Sequence, residues 1–556
     1  MKRVLGILLA FVGPVLAAAG IAGVLLIGSD DTVDSPATTL KLGDAKAVVS
    51  TPSLLAFTNT TMRLTAESSD GTVFLGQAHP IDARSYLATS STYAVTKVDT
   101  SGLSGEVVKG DPKTALPDPT KQGFWTARAT GTGKQTLMLE LDGTPTEFVI
   151  MPVGKGGDLT VTSGIQVKNG FTLSLAALVV GVLALFAGLL LRRRRRAVAE
   201  SGSENGPVAK ATAAAGDEVD RATEVDAPAT PSGTMGRVFT LGVISALVPA
   251  LAGCGVVPTK VDAWKTSELT KPAMANQAEA LAAMKDLDAR SATSRAAIAT
   301  SYDAKQWSAV RGGPLLATAV LGTQFDQLVK DHSVAKVSFT VHDAYLPAFS
   351  SYPMFAMVSG TETINREKPN EALQVITRSS VTSPWVLVGA TTAQLKGLAA
   401  PAASGTPSTL TPADLKQTKA AVDGLTSQIN TGKGSPALPK ELGEYFAGLR
   451  TPTQGSATLK AEPWNPTKDL VSPDGSVQAV KTTTGQLVVV SYNLLVTQTA
   501  KAGYVFLDDP KNQYRTVTGQ TGDLETVLNR YALIITMQLD KNGKPSVIGD
   551  SAYYVR

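Results

Sequence analysis

The sequence has one cysteine, Cys254, among 556 residues, and three histidines, His79, His332 and His342. A single cysteine excludes an intrachain disulfide and any zinc or iron–sulfur centre built from several thiolates. Three histidines leave little for a metal cage or a Ser/His/Asp triad. His332 and His342 stand ten residues apart with no third ligand in pattern. His342 falls on the polar side of an alternating run whose other side carries Val337, Phe339 and Val341. Both therefore read as solvated, and His79, just before Pro80, as a strand-end residue. Catalytic signatures are missing as well: no G-x-S-x-G elbow, no S-x-x-K followed by S-D-N, no H-E-x-x-H and no P-loop. Gly131, Thr132, Gly133 and Lys134 lack the upstream glycine spacing of a P-loop and read as a turn. Glu441 and Glu444 read as a solvated helix face. Trp385, Trp464, Tyr553 and Tyr554 read as core or rim aromatics rather than a carbohydrate platform. The expectation is a non-enzyme with no metal and no cofactor.

Net charge is small as well, because basic and acidic residues nearly balance. The net charge is +4, and five positive charges fall in one run, Arg192, Arg193, Arg194, Arg195 and Arg196. The remainder is close to neutral and shows no basic face with interleaved aromatics, so no nucleic-acid partner is expected.

What the sequence does contain is long apolar runs. Residues 4–28 form an uncharged run behind Lys2 and Arg3, long enough to cross a hydrocarbon core of about 30 Å at about 1.5 Å per residue. An uncleaved helix is the favoured reading. A signal peptide cut near Ala17, Ala18 and Ala19 is the alternative, and both export the segment C-terminal to the run. Pro14 is a candidate kink. Residues 171–191 form a second uncharged run, with the five arginines immediately after it. Arginine is costly inside a bilayer, so this basic end is expected on the cytoplasmic side, with contact to anionic lipid as an added role.

A third apolar run, 238–257, comes after Arg237 and contains Leu251, Ala252, Gly253 and Cys254. These four residues resemble the lipobox of bacterial lipoproteins. There a cysteine thiolate forms the thioether to a diacylglyceryl group, and small residues before it let an extended backbone enter the peptidase. Cys254 is thus the lipidation candidate. The other reading is an ordinary third membrane helix.

The intervening segments complete the layout. Residues 29–170 show short β-rich runs with frequent turn signals, predicting an exported β-sandwich of seven to eight strands. Asp30, Asp31 and Asp34 at its start read as a solvated juxtamembrane linker, with a metal site as the alternative. Residues 192–236 are the basic run and a cytoplasmic linker too poor in large apolar residues to fold. Beyond the third run, helix-then-strand order occurs twice, over 258–399 and 412–556, separated by a Pro/Ser/Thr/Gly linker at 400–411. Two exported α+β modules of NTF2-like or cystatin-like order are predicted, each a curved sheet with helices on one face.

The segments FLGQAHPIDARSYL, GFWTARATGTGKQTL and EFVIMPVGKGG resemble a family of uncharacterised actinobacterial membrane proteins. The resemblance covers residues 1–196 and implies an exported β-domain between two transmembrane helices, with no known chemistry. The chain departs from it after Met151, where the family carries an Asn-Ala-Asp-Gly-like turn. The expected whole is a multidomain, membrane-anchored cell-envelope protein with residues 29–170 and 258–556 on the extracytoplasmic side. Its expected partners are the lipid bilayer and either an apolar ligand or other envelope proteins. A structural or assembly role, and a hydrolase whose carboxylates no motif flags, are the alternatives.

Overall fold

A computed structural model describes residues 2–69, 71–99, 102–111, 113, 115–154, 157–199, 259–261, 269–365, 367–402, 409–452, 455–465, 471–509 and 511–556. Arg237, the residues Leu251 to Cys254 and the expected third helix lie outside the described residues. Among the described residues the chain is a mixed α/β protein with large β-sheets and two long apolar helices, and it divides into two compact units. The first comprises Met1–Pro80 and Thr89–Trp264, the second Ile81–Ala88 and Lys265–Arg556.

In the first unit, helices α1 (Lys2–Leu26) and α3 (Gly170–Ala199) run antiparallel, with α2 (Pro80–Leu87) between them in sequence. Small residues set the approach of α1 to α3. A Cβ added at Gly13 would lie 2.6 Å from the Leu185 backbone nitrogen, and Gly181 packs on Ala17 in the same way. Such small-residue contacts let backbones come close where no hydrophobic drive operates between helices. The opposite faces are apolar and exposed, as at Phe11, 78% exposed, and Leu183, 63% exposed. Residues 6–26 and 170–190 have mean hydropathies of 2.3 and 2.6 and by length and composition can cross a membrane. Pro14 lies inside α1 without ending it. The helical backbone of α3 continues past the apolar run through the five arginines to Ala199. Arginine and alanine are good helix formers, so the basic run extends the helix rather than opening the linker.

The β-strands of the first unit are β1 (Thr32–Asp34), β2 (Thr38–Leu40), β3 (Ala47–Ser50), β4 (Phe57–Thr58), β5 (Thr60–Ser68) and β6 (Thr72–Ala78). They continue with β7 (Thr92–Asp99), β8 (Gly102–Val108), β9 (Ala127–Thr132), β10 (Gln135–Leu141), β11 (Glu147–Val153), β12 (Leu159–Gln166) and β13 (Thr259–Lys260). One sheet has five strands in the order β1-β12-β5-β10, with β2 also on β12; the other has six, β8-β7-β3-β11-β6-β9. All pairs are antiparallel except β3–β7. Leu64, Leu139 and Leu159 of the first sheet and Leu75, Phe148 and Ile150 of the second form one buried cluster. Period-2 alternation thus faces two sheets onto a shared core, as a sandwich requires. The strands exceed the seven to eight expected because β1, β2 and β3 are too short to show a period. Residues 259–261, expected at the start of the first α+β module, instead belong here: β13 pairs with β4, and Val261 N–H donates to Ala56 O at 3.0 Å.

The second unit has helices α4 (Gln277–Ser301), α5 (Gly313–Val329), α6 (Pro412–Thr431), α7 (Lys440–Arg450) and α8 (Gln513–Thr518). Their starts are written in the sequence. Asn276 caps α4, accepting from Glu279 N–H at 3.0 Å. Thr411 and Asp414 form a capping box on α6, with Pro412 at its first turn. Its strands are β14 (Lys271–Pro272), β15 (Val337–Tyr345), β16 (Ala348–Phe349), β17 (Met354–Ile364), β18 (Asn370–Arg378) and β19 (Val386–Ala393). They continue with β20 (Ser456–Pro463), β21 (Val477–Lys481), β22 (Gly485–Thr499), β23 (Thr526–Asp540) and β24 (Pro545–Tyr554).

The two expected sheets are one sheet of nine strands, β15-β17-β18-β19-β24-β23-β22-β20, with β21 on β22. The order is palindromic. Each half contributes its own last strand to the centre, where Thr392 pairs with Asp550 and Ala393 with Gly549. This is the pairing that two copies of one module make about a two-fold axis. A second buried layer joins the halves: Phe355, Met357 and Leu373 of one half cluster with Leu487, Val489 and Ile534 of the other, and Leu315 of α5 packs into the same cluster. The hydroxyls of Thr391 and Thr536 share a buried hydrogen bond of 2.7 Å across this layer. The two modules are therefore not separate bodies, because each buries the face that the other would leave in water.

Helix α2 lies in sequence among the strands of the first unit, yet residues Ile81–Ala88 pack in the second. Ile81 joins the core of Met284, Met354 and Ala356. Asp82, its side chain 6% exposed, accepts from Lys271 Nζ at 2.6 Å and from the Tyr352 hydroxyl at 2.9 Å. The Val381 N–H donates to Ser85 Oγ at 3.0 Å.

Candidate functional site

The inner face of the five-stranded sheet carries a row of residues in register: Val33 on β1, Ile165 on β12, Met62 on β5 and Leu139 on β10. Leu139 is fully buried and Met62 nearly so, yet Val33 is 38% and Ile165 44% exposed. Residues that point inward and still meet solvent mean that the second sheet stops short of this end. The resulting cavity has a volume of about 600 Å³ and is walled by Leu54, Phe57, Met62, Val98 and Leu141. That lies within the roughly 300–1,000 Å³ of small-molecule sites, which are mostly apolar with a few placed polar groups. Here the polar margin is formed by Lys97, Thr96, Ser163 and Lys260.

The cavity opens at the end of the sheets where both long helices attach, since β1 comes directly after α1 and β12 directly before α3. The aspartates at this junction hold it together. On the outer face Asp34, Gly164 and Arg63 lie side by side across β1, β12 and β5. Gly164 leaves room, and the Arg63 guanidinium crosses it to bind both Asp34 and Asp30. Hydrogen bonding to Arg63 holds the Asp30 carboxyl below the ordinary aspartate range. Asp31 ties the helix ends: its carboxylate accepts from Phe171 N–H at 2.8 Å and its carbonyl from Val167 N–H at 2.7 Å. The expected solvated linker is thus an ordered collar, because each aspartate finds a donor. Among the described residues no group of three or more His, Cys, Asp or Glu is placed to hold a metal.

The other residues singled out in the sequence have local roles. His332 and His342 are exposed, His332 bonding the Tyr302 hydroxyl at 3.1 Å and His342 the Thr361 hydroxyl at 2.9 Å. Glu441 and Glu444 are exposed on α7, Glu444 lying 3.9 Å from Lys440. Trp385 is buried in the core under α4, whereas Tyr554 is 42% exposed and packs on Tyr514 and Tyr531. Sequence reasoning missed Arg63. Its signal would have been an isolated arginine in an otherwise uncharged strand stretch, TTMRLTA, downstream of three aspartates.

No family model, curated protein or solved structure matches the chain.

Proposed function

We propose that this is a non-enzymatic, membrane-anchored envelope protein whose first unit binds an apolar ligand, such as a lipid acyl chain, in the cavity beside its two long helices. The observation that carries the reading is the inward-facing, solvent-exposed pair Val33 and Ile165 at the mouth of a mainly apolar cavity. Its place at the helix junction puts it beside the bilayer surface if both helices span. The positive-inside rule then sets the five arginines in the cytoplasm and residues 29–170 outside. The lipobox-like Leu251, Ala252, Gly253 and Cys254 add a second anchor, with residues 258–556 also outside. Organic extraction and mass analysis of protein purified from membranes tests the ligand. A stoichiometric lipid or other apolar molecule is expected, and a ligand-free protein that also takes up no acyl probe overturns the reading. Fatty-acid-analogue labelling tests the anchor: label is expected on the wild type and lost in Cys254→Ala, and equal labelling refutes lipidation there.

A docking role is the second reading. Tyr504, 60% exposed, and Leu507, 72% exposed, stand on one loop, pinned by the paired Phe506 and Leu524 backbones, and exposed apolar side chains grouped on one loop favour a protein partner.

A further inference from the structure

The apolar cavity of the first unit has a charged margin that an apolar chain alone leaves unmatched. Three ionisable residues line it: Lys97, Lys260 and Asp34. The Asp34 carboxylate is already bound by the Arg63 guanidinium. The serine hydroxyls are committed to neighbours: Ser35 and Ser163 bond each other at 3.1 Å, and Ser53 bonds Thr51 at 3.3 Å. Lys260 is exposed and enters no ion pair among the described residues.

The backbone places both lysines at this margin. On β13, Lys260 stands opposite Phe57 of β4, and the next residue is fixed by the Val261 N–H donating to Ala56 O at 3.0 Å. Paired residues of an antiparallel ladder leave it on the same side. Phe57 walls the cavity, so the Lys260 side chain departs toward it. Lys97 comes from β7 of the six-stranded sheet, where the register with β8 slips between Val95 and Lys97. A regular strand presents every second residue to one side, and a bulge breaks that rule. Here three successive residues, Thr96, Lys97 and Val98, line the cavity. Lysine stems lie along apolar walls while the ammonium stays at the water edge. Two ammonium groups and one carboxylate leave the lining with one positive charge in excess, at the rim of an apolar space of about 600 Å³.

We propose that the ligand of this cavity is a long-chain carboxylic acid, its chain against Leu54, Met62 and Ile165 and its carboxylate at Lys260, with Lys97 adding attraction. The proposal rests on the apolar-ligand reading and adds the head group to it. A phosphate monoester head, with a charge of about −1.5 to −2 and three acceptor oxygens, exceeds the single positive charge that the lining has to offer.

The test loads the full-length protein, in a neutral detergent, with an uncharged fluorescent apolar probe. Displacement by hexadecanoate, by hexadecanol and by a hexadecanoyl lysophosphatidate is then compared in wild type, Lys260→Gln and Lys260→Arg. Taking the acid-to-alcohol preference of each protein, and comparing it between proteins, cancels partition into the detergent. Wild type is expected to prefer the acid by about fivefold. The preference should shrink with added salt, vanish in Lys260→Gln and persist in Lys260→Arg. Should Lys260→Gln fail to fold, Lys97→Gln is expected to reduce the same preference. Acid and alcohol displacing the probe equally from wild type, an unchanged preference in folded Lys260→Gln, or stronger displacement by the lysophosphatidate overturns the carboxylate assignment and leaves the apolar-ligand reading standing. A probe that does not bind, with no displacement by any chain, overturns both.

Discussion

Replacing Asp82 by alanine removes the carboxylate that anchors α2 in the second unit. The wild-type side chain is 6% exposed and is held by Lys271 at 2.6 Å and Tyr352 at 2.9 Å. The variant strands the Lys271 ammonium, whose side chain is 23% exposed, and deprives the Tyr352 hydroxyl of its acceptor. Burial, with the Asp82 carboxylate beside it, already raises the Tyr352 phenol well above its ordinary range, so this hydroxyl remains a donor. Removing one partner of a fully buried pair costs about 3–5 kcal/mol. Lys271 keeps some water, which discounts that figure, while a lost hydrogen bond to a charged group adds about 1.5–3 kcal/mol non-additively. The expected total is about 3 kcal/mol, or a fall of roughly 6 °C at about 2 °C per kcal/mol for a unit this large. The assay is the thermal transition of the full chain in detergent, with hydrogen exchange read at residues 81–88. Exchange there should accelerate together with the fall in midpoint. Adding Lys271→Met should restore part of the loss, because an apolar replacement of both partners is close to neutral. A midpoint within about 1 °C of wild type, with exchange at 81–88 unchanged, would refute the reasoning.

Two further predictions concern the frame. A Cβ at Gly549 would lie 2.6 Å from Thr392 O, so Gly549→Val should split β24 from β19. A loss of about 1–3 kcal/mol is expected from the overpacking, seen as faster exchange at residues 391–393 and 549–550, and a variant as stable as wild type would show that the central pairing is dispensable. For the collar, the Asp30 carboxyl is depressed by Arg63. Its folded value lies below its unfolded one, so its contribution is complete above about pH 4 and is lost as pH falls through the folded value. Carboxyl NMR should show Asp30 titrating below the ordinary aspartate value in wild type and near it in Arg63→Ala, and identical titrations would dissolve the collar.

Local features were readable from the sequence and long-range ones were not. The start of α4 is visible in Asn276 and Glu279, and that of α6 in Thr411, Pro412 and Asp414, because capping acts within four residues. The repeated helix-then-strand order was visible as well. That β19 and β24 meet was not, since strand register depends on partners far apart in sequence. The same holds for Arg63, whose carboxylates precede it by 33 and 29 residues. Helix α2 could be read as a helix, but its eight residues say nothing about which unit buries Ile81 and Asp82. The cavity left no trace either. Val33 and Ile165 alternate just as core residues do, and only the end of the facing sheet leaves them uncovered.

The most direct test of the apolar-ligand reading is titration of the full-length protein in detergent with a fluorescent fatty-acid analogue, comparing wild type with Ile165→Asp. Ile165 is 44% exposed, so the substitution spares the core while placing a carboxylate in the cavity mouth. A buried acyl segment of about three methylenes is worth roughly 2.4 kcal/mol, and losing that contact predicts affinity weakened by at least about tenfold. Saturable binding by wild type and its loss in a cooperatively folded Ile165→Asp protein is the expected result. Equal binding by the two proteins, or none by wild type, would contradict it.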